Sequence, residues 1–100
     1  MALVIGGFDW DDGNAEKCRK HGVSLSDIES VFRRQVSVFP DPLHSLMEER
    51  FVAIGRTEAG RNVLIVFTQR RKAGAPLIRP ISARYMHSKE FEAYEKSTKA

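Results

Sequence analysis

Arginine is the residue type in this sequence whose placement points most directly to chemistry. Arg50 and Arg56 bracket one apolar segment, and Arg79 and Arg84 bracket another nearer the C-terminus. Guanidinium groups stay charged under ordinary conditions and prefer water or a bidentate anion to an apolar core. Several arginines set among the core residues of one small sheet therefore predict a surface that holds phosphate groups.

The spacing of two of these arginines imposes a geometric condition. Arg79 and Arg84 are an odd number of residues apart, so a regular strand would point their side chains to opposite faces. Both can serve one site only if a β-bulge lies between them. Because proline cannot donate a hydrogen bond to a sheet, Pro80 is where such a bulge is expected.

Charge is unevenly distributed along the chain. The formal net charge is +3, yet residues 1–50 hold 6 Lys/Arg against 9 Asp/Glu, and residues 51–100 hold 10 against 4. A basic half is typical of a surface that meets a polyanion. An ordinary solubilising coat gives the same count, so charge alone leaves both interpretations open.

Length and composition predict one globular domain over residues 1–100, with 42% hydrophobic and 29% charged residues. No apolar stretch approaches the roughly 20 residues of a membrane span, and the N-terminus does not read as a secretory signal. The single Cys18 argues against disulfides and cysteine-rich zinc sites, so we expect a cytoplasmic protein. The histidines match no metal-ligand spacing and no phosphate-binding glycine loop is present, so no cofactor is expected.

The elements that would position the arginines follow from periodicity and from helix-capping and turn residues. They predict an α+β fold in the order β-α-α-β-β-β-β-α, with short connections that favour an antiparallel sheet. Phe8-Asp9-Trp10 belongs to the first short strand. Two helices follow, the first over residues 11–21 and the second ending near Arg33-Arg34. Arg70–Pro76 is predicted to be a basic loop before the last strand, and Ser88 begins a C-terminal helix.

Six short segments lie in order along most of the chain, from residue 8 to about residue 95. They are Phe8-Asp9-Trp10-Asp11, Lys20-His21-Gly22-Val23, Phe39-Pro40-Asp41-Pro42 with His44, Glu49-Arg50-Phe51, Ile54-Gly55-Arg56 and Ile81-Ser82-Ala83-Arg84. In combination they resemble the BrnT-type toxins of bacterial type II toxin–antitoxin systems. Tyr85-Met86-His87 departs from the Lys-Ala-Thr that is more usual in that family.

The resemblance implies a RelE-like fold and a metal-independent ribonuclease that arrests growth. It also implies a small cognate antitoxin, BrnA-like, which neutralises the toxin and carries the DNA-binding domain of the system. RNA would be the substrate, and DNA would be contacted only through the antitoxin.

Metal-free RNA cleavage needs a group that activates a 2′-hydroxyl, cations that stabilise the phosphate in the transition state, and an acid for the leaving oxygen. The stabilising cations are predicted to be Arg56, Arg79 and Arg84, because arginine matches phosphate geometry. Candidates that could act as acid, base or charge stabiliser are Lys20, His21, His44 and Glu49, and the sequence does not choose among them. His21 would serve equally well as a helix cap.

Three further residues are predicted to contact RNA. Arg70 would bind the backbone, His44 lies in a loop after two prolines, and Trp10 would stack on a base. Each has a structural alternative, since Trp10 also fits a core position and the other two fit solvated loops.

Two other functions remain open from the residues alone. A non-catalytic basic module that binds RNA or an acidic protein explains the charge asymmetry without any catalytic base. A degenerate toxin that retains only antitoxin binding is the third hypothesis.

Overall fold

The computed structural model describes residues 6–41 and 48–99 of the chain, and these residues form three helices and four strands in the order α-α-β-β-β-β-α. The elements are α1 (Asp12–Arg19), α2 (Leu25–Arg33), β1 (Ser37–Pro40), β2 (Arg50–Arg56), β3 (Asn62–Lys72), β4 (Ala75–Tyr85) and α3 (Ser88–Lys99). The strands lie in the order β1-β2-β3-β4 and every neighbouring pair is antiparallel. The predicted α+β class is therefore confirmed. None of the described helices is long and apolar enough to cross a membrane.

The predicted N-terminal strand is wrong for the part of it that the structure describes. Residues 6–10 form only one isolated parallel bridge, between Phe8 and Ile78. The segment still lies along the outer edge of β4, where the Asp9 amide donates to the Ile78 carbonyl at 2.8 Å and the Ile78 amide donates to the Gly7 carbonyl at 3.1 Å. Helix α1 is capped at Asp11, so the extended segment ends there.

Capping residues and a glycine set the ends of the two helices that follow this segment. Asp11 and Asn14 exchange hydrogen bonds in a capping box at the start of α1, and Ser24 caps α2 through the Asp27 amide. Gly22 separates the helices with φ +85, a left-handed conformation that favours glycine. Helix α1 is shorter than the predicted 11–21, since its last helical residue is Arg19.

The sheet has two differently covered faces. Helices α1 and α2 pack on one, the two-helix face, which contains Val63, Ile65 and Phe67 of β3 and the main buried core. That core is formed by Cys18, Val23, Ile28, Val31, Phe32, Val36, Ala53, Val63, Ile65, Phe67, Ile78 and Ala83. Helix α3 packs on the opposite face, where Phe91 and Tyr94 contact a small cluster of Ile54, Leu64 and Met86.

The segment predicted to be a basic loop, Arg70–Pro76, is instead the end of a hairpin. Strand β3 continues to Lys72, β4 begins at Ala75, and the pairing continues to Lys72 opposite Ala75. Only Ala73 and Gly74 form the turn, with φ of 51 and 80. Two successive positive φ values match the twist of a two-residue β-hairpin, so the strands pair up to the turn.

Asn14 joins α1 to the N-terminal segment and to β4. Its buried side chain accepts from the Asp11 amide at 2.7 Å and donates to the carbonyls of Asp9 at 3.0 Å and Pro80 at 2.8 Å. We expect Asn14→Ala to lower the free energy of unfolding by about 2–4 kcal/mol, because two buried carbonyls lose their donor. Urea unfolding followed by Trp10 fluorescence measures this loss. Asn62→Ala is the matched control, expected to cost about 1 kcal/mol or less, and equal losses would contradict the role of Asn14.

Candidate functional site

A β-bulge in β4 brings Arg79 and Arg84 to the same face of the sheet. Phe67 of β3 pairs with Pro80, but the preceding Val66 pairs with Ser82, so Ile81 has no partner in the register. Arg79 then lies opposite Thr68 and Arg84 opposite Leu64. Thr68 and Leu64 are four residues apart, so both arginines share a face. The bulge lies where Pro80 predicted it.

The same register assigns three more arginines to this surface. Arg50 lies opposite Thr68, Arg56 opposite Asn62, and Arg70 is two residues beyond Thr68 on β3. We call this surface, opposite the two-helix face, the arginine face. It carries Arg50, Arg56, Arg70, Arg79 and Arg84.

The arginines are divided between two ends of that face. Arg50, Arg70 and Arg79 lie at the hairpin end, whereas Arg56 and Arg84 lie beside α3. Four strand residues separate the rows of Thr68 and Leu64, which places the two ends about 13 Å apart. The row between them consists of Val52, Val66 and Ser82, which are half-buried. The surface can therefore contact more than one phosphate of an extended strand.

At the hairpin end, cations are paired with acidic residues from the N-terminal segment. Arg79 Nη2 is 2.8 Å from Asp11 Oδ2, and Arg79 Nη1 is 3.6 Å from Asp9 Oδ2. Lys72 Nζ contacts Asp9 Oδ1 at 3.0 Å. The Asn14 amide, and then the Arg79 guanidinium, lower the pKa of Asp11. Asp9 is buried, so these contacts fix Arg79 in place.

Arg70 has its own carboxylate partner at the hairpin end. Its Nη2 lies 3.0 Å from Glu48 Oε2, and both side chains are partly exposed. Such a pair is worth at most about 1 kcal/mol, because both groups remain solvated. A phosphate can therefore replace the carboxylate of Glu48 at little cost.

The α3 end holds a tighter pair. Arg84 Nη1 and Nη2 donate to the two carboxylate oxygens of Glu90 at 2.9 and 2.7 Å. This bidentate contact raises the pKa of Arg84 and lowers the pKa of Glu90. Arg56 has a neutral partner, since its Nε donates to Asn62 Oδ1 at 3.1 Å and its guanidinium lies 5.1 Å from the centre of the Phe91 ring.

A family model described as the ribonuclease toxin BrnT of type II toxin–antitoxin systems matches residues 10–90. The chain belongs to the BrnT family. It is a ribonuclease toxin, and an antitoxin is its partner, as the resemblance in the sequence implied. No curated protein matches the sequence.

Lys20 and His21 of this BrnT toxin are not brought to the arginine face. Both are exposed in the turn that joins α1 to α2, on the two-helix face of the sheet. The Asp11 contact with Arg79 is at the opposite end of α1, and eight helical residues span about 12 Å. These two residues are therefore separate from the cations of the sheet.

The structure places two further predicted residues, Trp10 and Glu49, outside the strands that carry the arginines. Trp10 packs against the main core and its Nε1 donates to Glu29 Oε2 at 2.9 Å, which favours the core position over base stacking. Glu49 is exposed just before β2, and its backbone carbonyl accepts from the Thr68 hydroxyl at 2.7 Å. His44 lies outside the described residues.

The sequence did not identify several charged residues of this surface. Asp9, Asp11 and Lys72 surround Arg79 because the N-terminal segment lies along β4, a contact between residues more than 60 positions apart. His87 precedes α3 beside the pair of Arg84 and Glu90. His87 lies three positions before Glu90, a spacing that makes two residues neighbours on a helix. This spacing could have indicated that the two side chains lie close together.

Residues 6–41 and 48–99 contain no group of three His, Cys, Asp or Glu side chains that could hold a metal ion. Cys18 is buried in the main core, and burial raises the pKa of its thiol to about 11. Because the thiolate is the reactive form, Cys18 is a structural residue.

Proposed function

We propose that this toxin cleaves RNA in the cytoplasm without a metal ion, by attack of a 2′-hydroxyl on the adjacent phosphate. The observation that carries the proposal is the shared face of Arg79 and Arg84, which the bulge at Ile81 creates. An extended RNA strand laid across that face meets cations at both ends. Such an arrangement suits a backbone that carries one charge per nucleotide.

Arg84 and Arg79 have different parts in this proposal. Arg84 uses two of its five N–H donors on Glu90, so three remain for phosphate oxygens in the transition state. Arg79 is only 20% exposed and is held by Asp9 and Asp11, so it positions the neighbouring nucleotide. Arg56 and Arg70 are exposed and bind the backbone on either side.

The proposed reaction needs no metal ion because guanidinium groups supply the positive charge at the phosphate. The phosphate gains negative charge in the transition state, and preorganised guanidinium groups stabilise it directly. Asp9, Asp11 and Glu90, the carboxylates nearest Arg79 and Arg84, already accept hydrogen bonds or ion pairs from cations. Their part is to orient the arginines.

The antitoxin is proposed to silence the toxin by covering the arginine face with an acidic segment, and to carry the DNA-binding domain of the complex. Carboxylates of this chain already occupy Arg70, Arg79 and Arg84. An antitoxin segment that supplies carboxylates of its own would therefore find complementary partners at both ends of the face.

The proposal is tested with purified toxin, freed of antitoxin, and a synthetic oligoribonucleotide. In the presence of EDTA we expect shortened products that end in a 2′,3′-cyclic phosphate, and no cleavage after an equimolar amount of antitoxin is added. Toxin with Arg84→Ala, purified in the same way, controls for a contaminating ribonuclease. Cleavage that requires added Mg²⁺ would contradict the metal-free mechanism.

The same assay distinguishes the non-catalytic alternative. RNA binding that weakens steeply with salt, without any shortening at high protein excess, would identify a basic binding module instead. The carboxylate partners of Arg70, Arg79 and Arg84 are the observation that keeps this alternative in view, since phosphate must compete with them.

A further inference from the structure

The first turn of α3 brings a histidine next to two arginines of the arginine face. The carbonyl of His87 accepts from the Phe91 amide at 3.0 Å, which fixes His87 one turn before Phe91. Within that turn Glu90 holds Arg84, and Arg56 lies over the Phe91 ring. A titratable side chain and two phosphate-binding groups thus converge on one helical turn.

The position of His87 directly before α3 places this residue beside the cluster. The charge of His87 contributes, after Arg84, to the lowered pKa of Glu90. His87 is exposed, so a bound RNA strand can reach it. The other described histidine, His21, lies in the turn between α1 and α2 on the two-helix face.

The other titratable groups near Arg84 are poorly suited to donate a proton. Arg84 lowers the pKa of Glu90, so this carboxyl is ionised near neutral pH. Tyr94 packs against Phe39, with ring centres 5.6 Å apart. Tyr85 points to the two-helix face, where its hydroxyl is 3.4 Å from Asp27. Imidazole is the side chain that exchanges a proton most readily near neutral pH.

We propose that His87 is the general acid of the cleavage that the proposed function describes. The 2′-oxygen bonds to phosphorus and the bond from phosphorus to the 5′-oxygen breaks, which yields a 2′,3′-cyclic phosphate. The 2′-hydroxyl proton passes to solvent, and the 5′-oxygen takes its proton from the His87 imidazolium. Solvent then reprotonates the imidazole, so that protons balance over one turnover.

The test compares two leaving groups at one cleavage position. An oligoribonucleotide is cut by the unaltered toxin to map that position, and is then made with sulfur in place of the bridging 5′-oxygen. A thiolate leaves without being protonated, so loss of a general acid should not slow this substrate. We expect His87→Ala and His87→Gln to slow the oxygen substrate by about 10²–10⁴-fold, and the sulfur substrate by less than about tenfold.

Arg84→Ala supplies the contrasting pattern, because it removes phosphate stabilisation and should slow both substrates. An unchanged melting temperature shows that each variant is folded. Full activity of His87→Ala on the oxygen substrate would overturn the inference and leave the ribonuclease intact, and equal slowing on both substrates would overturn the role as acid. If the unaltered toxin cut no RNA at all, the proposed function would fail together with the inference.

Discussion

Toxin with Arg84→Ala should cleave RNA about 10²–10³-fold more slowly and should no longer arrest growth when it is produced without antitoxin. The guanidinium gives two of its five N–H donors to Glu90, and the other three are proposed to bind the phosphate. Loss of one preorganised donor to a developing charge has an effect of this size in other enzymes. Single-turnover cleavage of an oligoribonucleotide measures it.

Two further variants separate the chemistry of Arg84 from its charge. Arg84→Lys keeps one positive charge but loses the planar fork, so we expect an intermediate rate. Arg33→Ala removes the same charge from α2, where Arg33 is 63% exposed and pairs with Glu29. Its cleavage rate should match that of the unaltered toxin. Equal losses in Arg33→Ala and Arg84→Ala would mean that net charge matters and that position does not.

The double substitution of Arg79 and Arg84 extends this test to the whole arginine face. Removal of cations from both ends should reduce cleavage further than either single change, because each end is proposed to contact a different part of the RNA strand. Full toxicity of the folded double variant would show that the site lies elsewhere on the molecule.

Sequence reasoning was most successful where short-range patterns decide the structure. The helices follow from capping residues such as Asp11 and Ser24, and the antiparallel sheet follows from short connections. The bulge followed from a parity argument, since an odd separation of two arginines needed an extra residue near Pro80. These features depend on a few neighbouring residues, and alternation and capping rules describe them well.

Sequence reasoning failed where distant segments meet. The pairing of Arg79 with Asp11 joins residues 68 positions apart and depends on the N-terminal segment lying along β4. The hairpin end was predicted to be a loop because Arg70–Lys72 is strongly polar. Two-stranded ribbons tolerate such residues when both sides are solvated, and the turn at Ala73 and Gly74 decides the pairing.

Phe67, at the centre of the main core, is the other position at which one substitution should have a large effect, here on stability. Phe67 is 1% exposed, and its ring lies 5.0 Å from that of Phe32 and 5.5 Å from that of Phe51. Phe67→Ala should lower the free energy of unfolding by about 3–5 kcal/mol. The total free energy of unfolding of a domain of this size is only about 5–15 kcal/mol. The melting temperature should therefore fall by about 15–30 °C. Urea unfolding and calorimetry both measure the change.

Phe8→Ala is the matched control, because it removes the same side chain from the edge of the same core. Phe8 is half-buried and contacts Phe32 with ring centres 5.9 Å apart, so its loss should cost less than half as much. Phe67 also pairs with Pro80 at the bulge, and a cavity beneath that pair loosens the element that aligns Arg79 with Arg84. Phe67→Ala should therefore lose RNA cleavage at temperatures below its unfolding transition, whereas Phe8→Ala should not. If both variants lost stability and activity equally, the core would be uniformly packed and the bulge would not depend on Phe67.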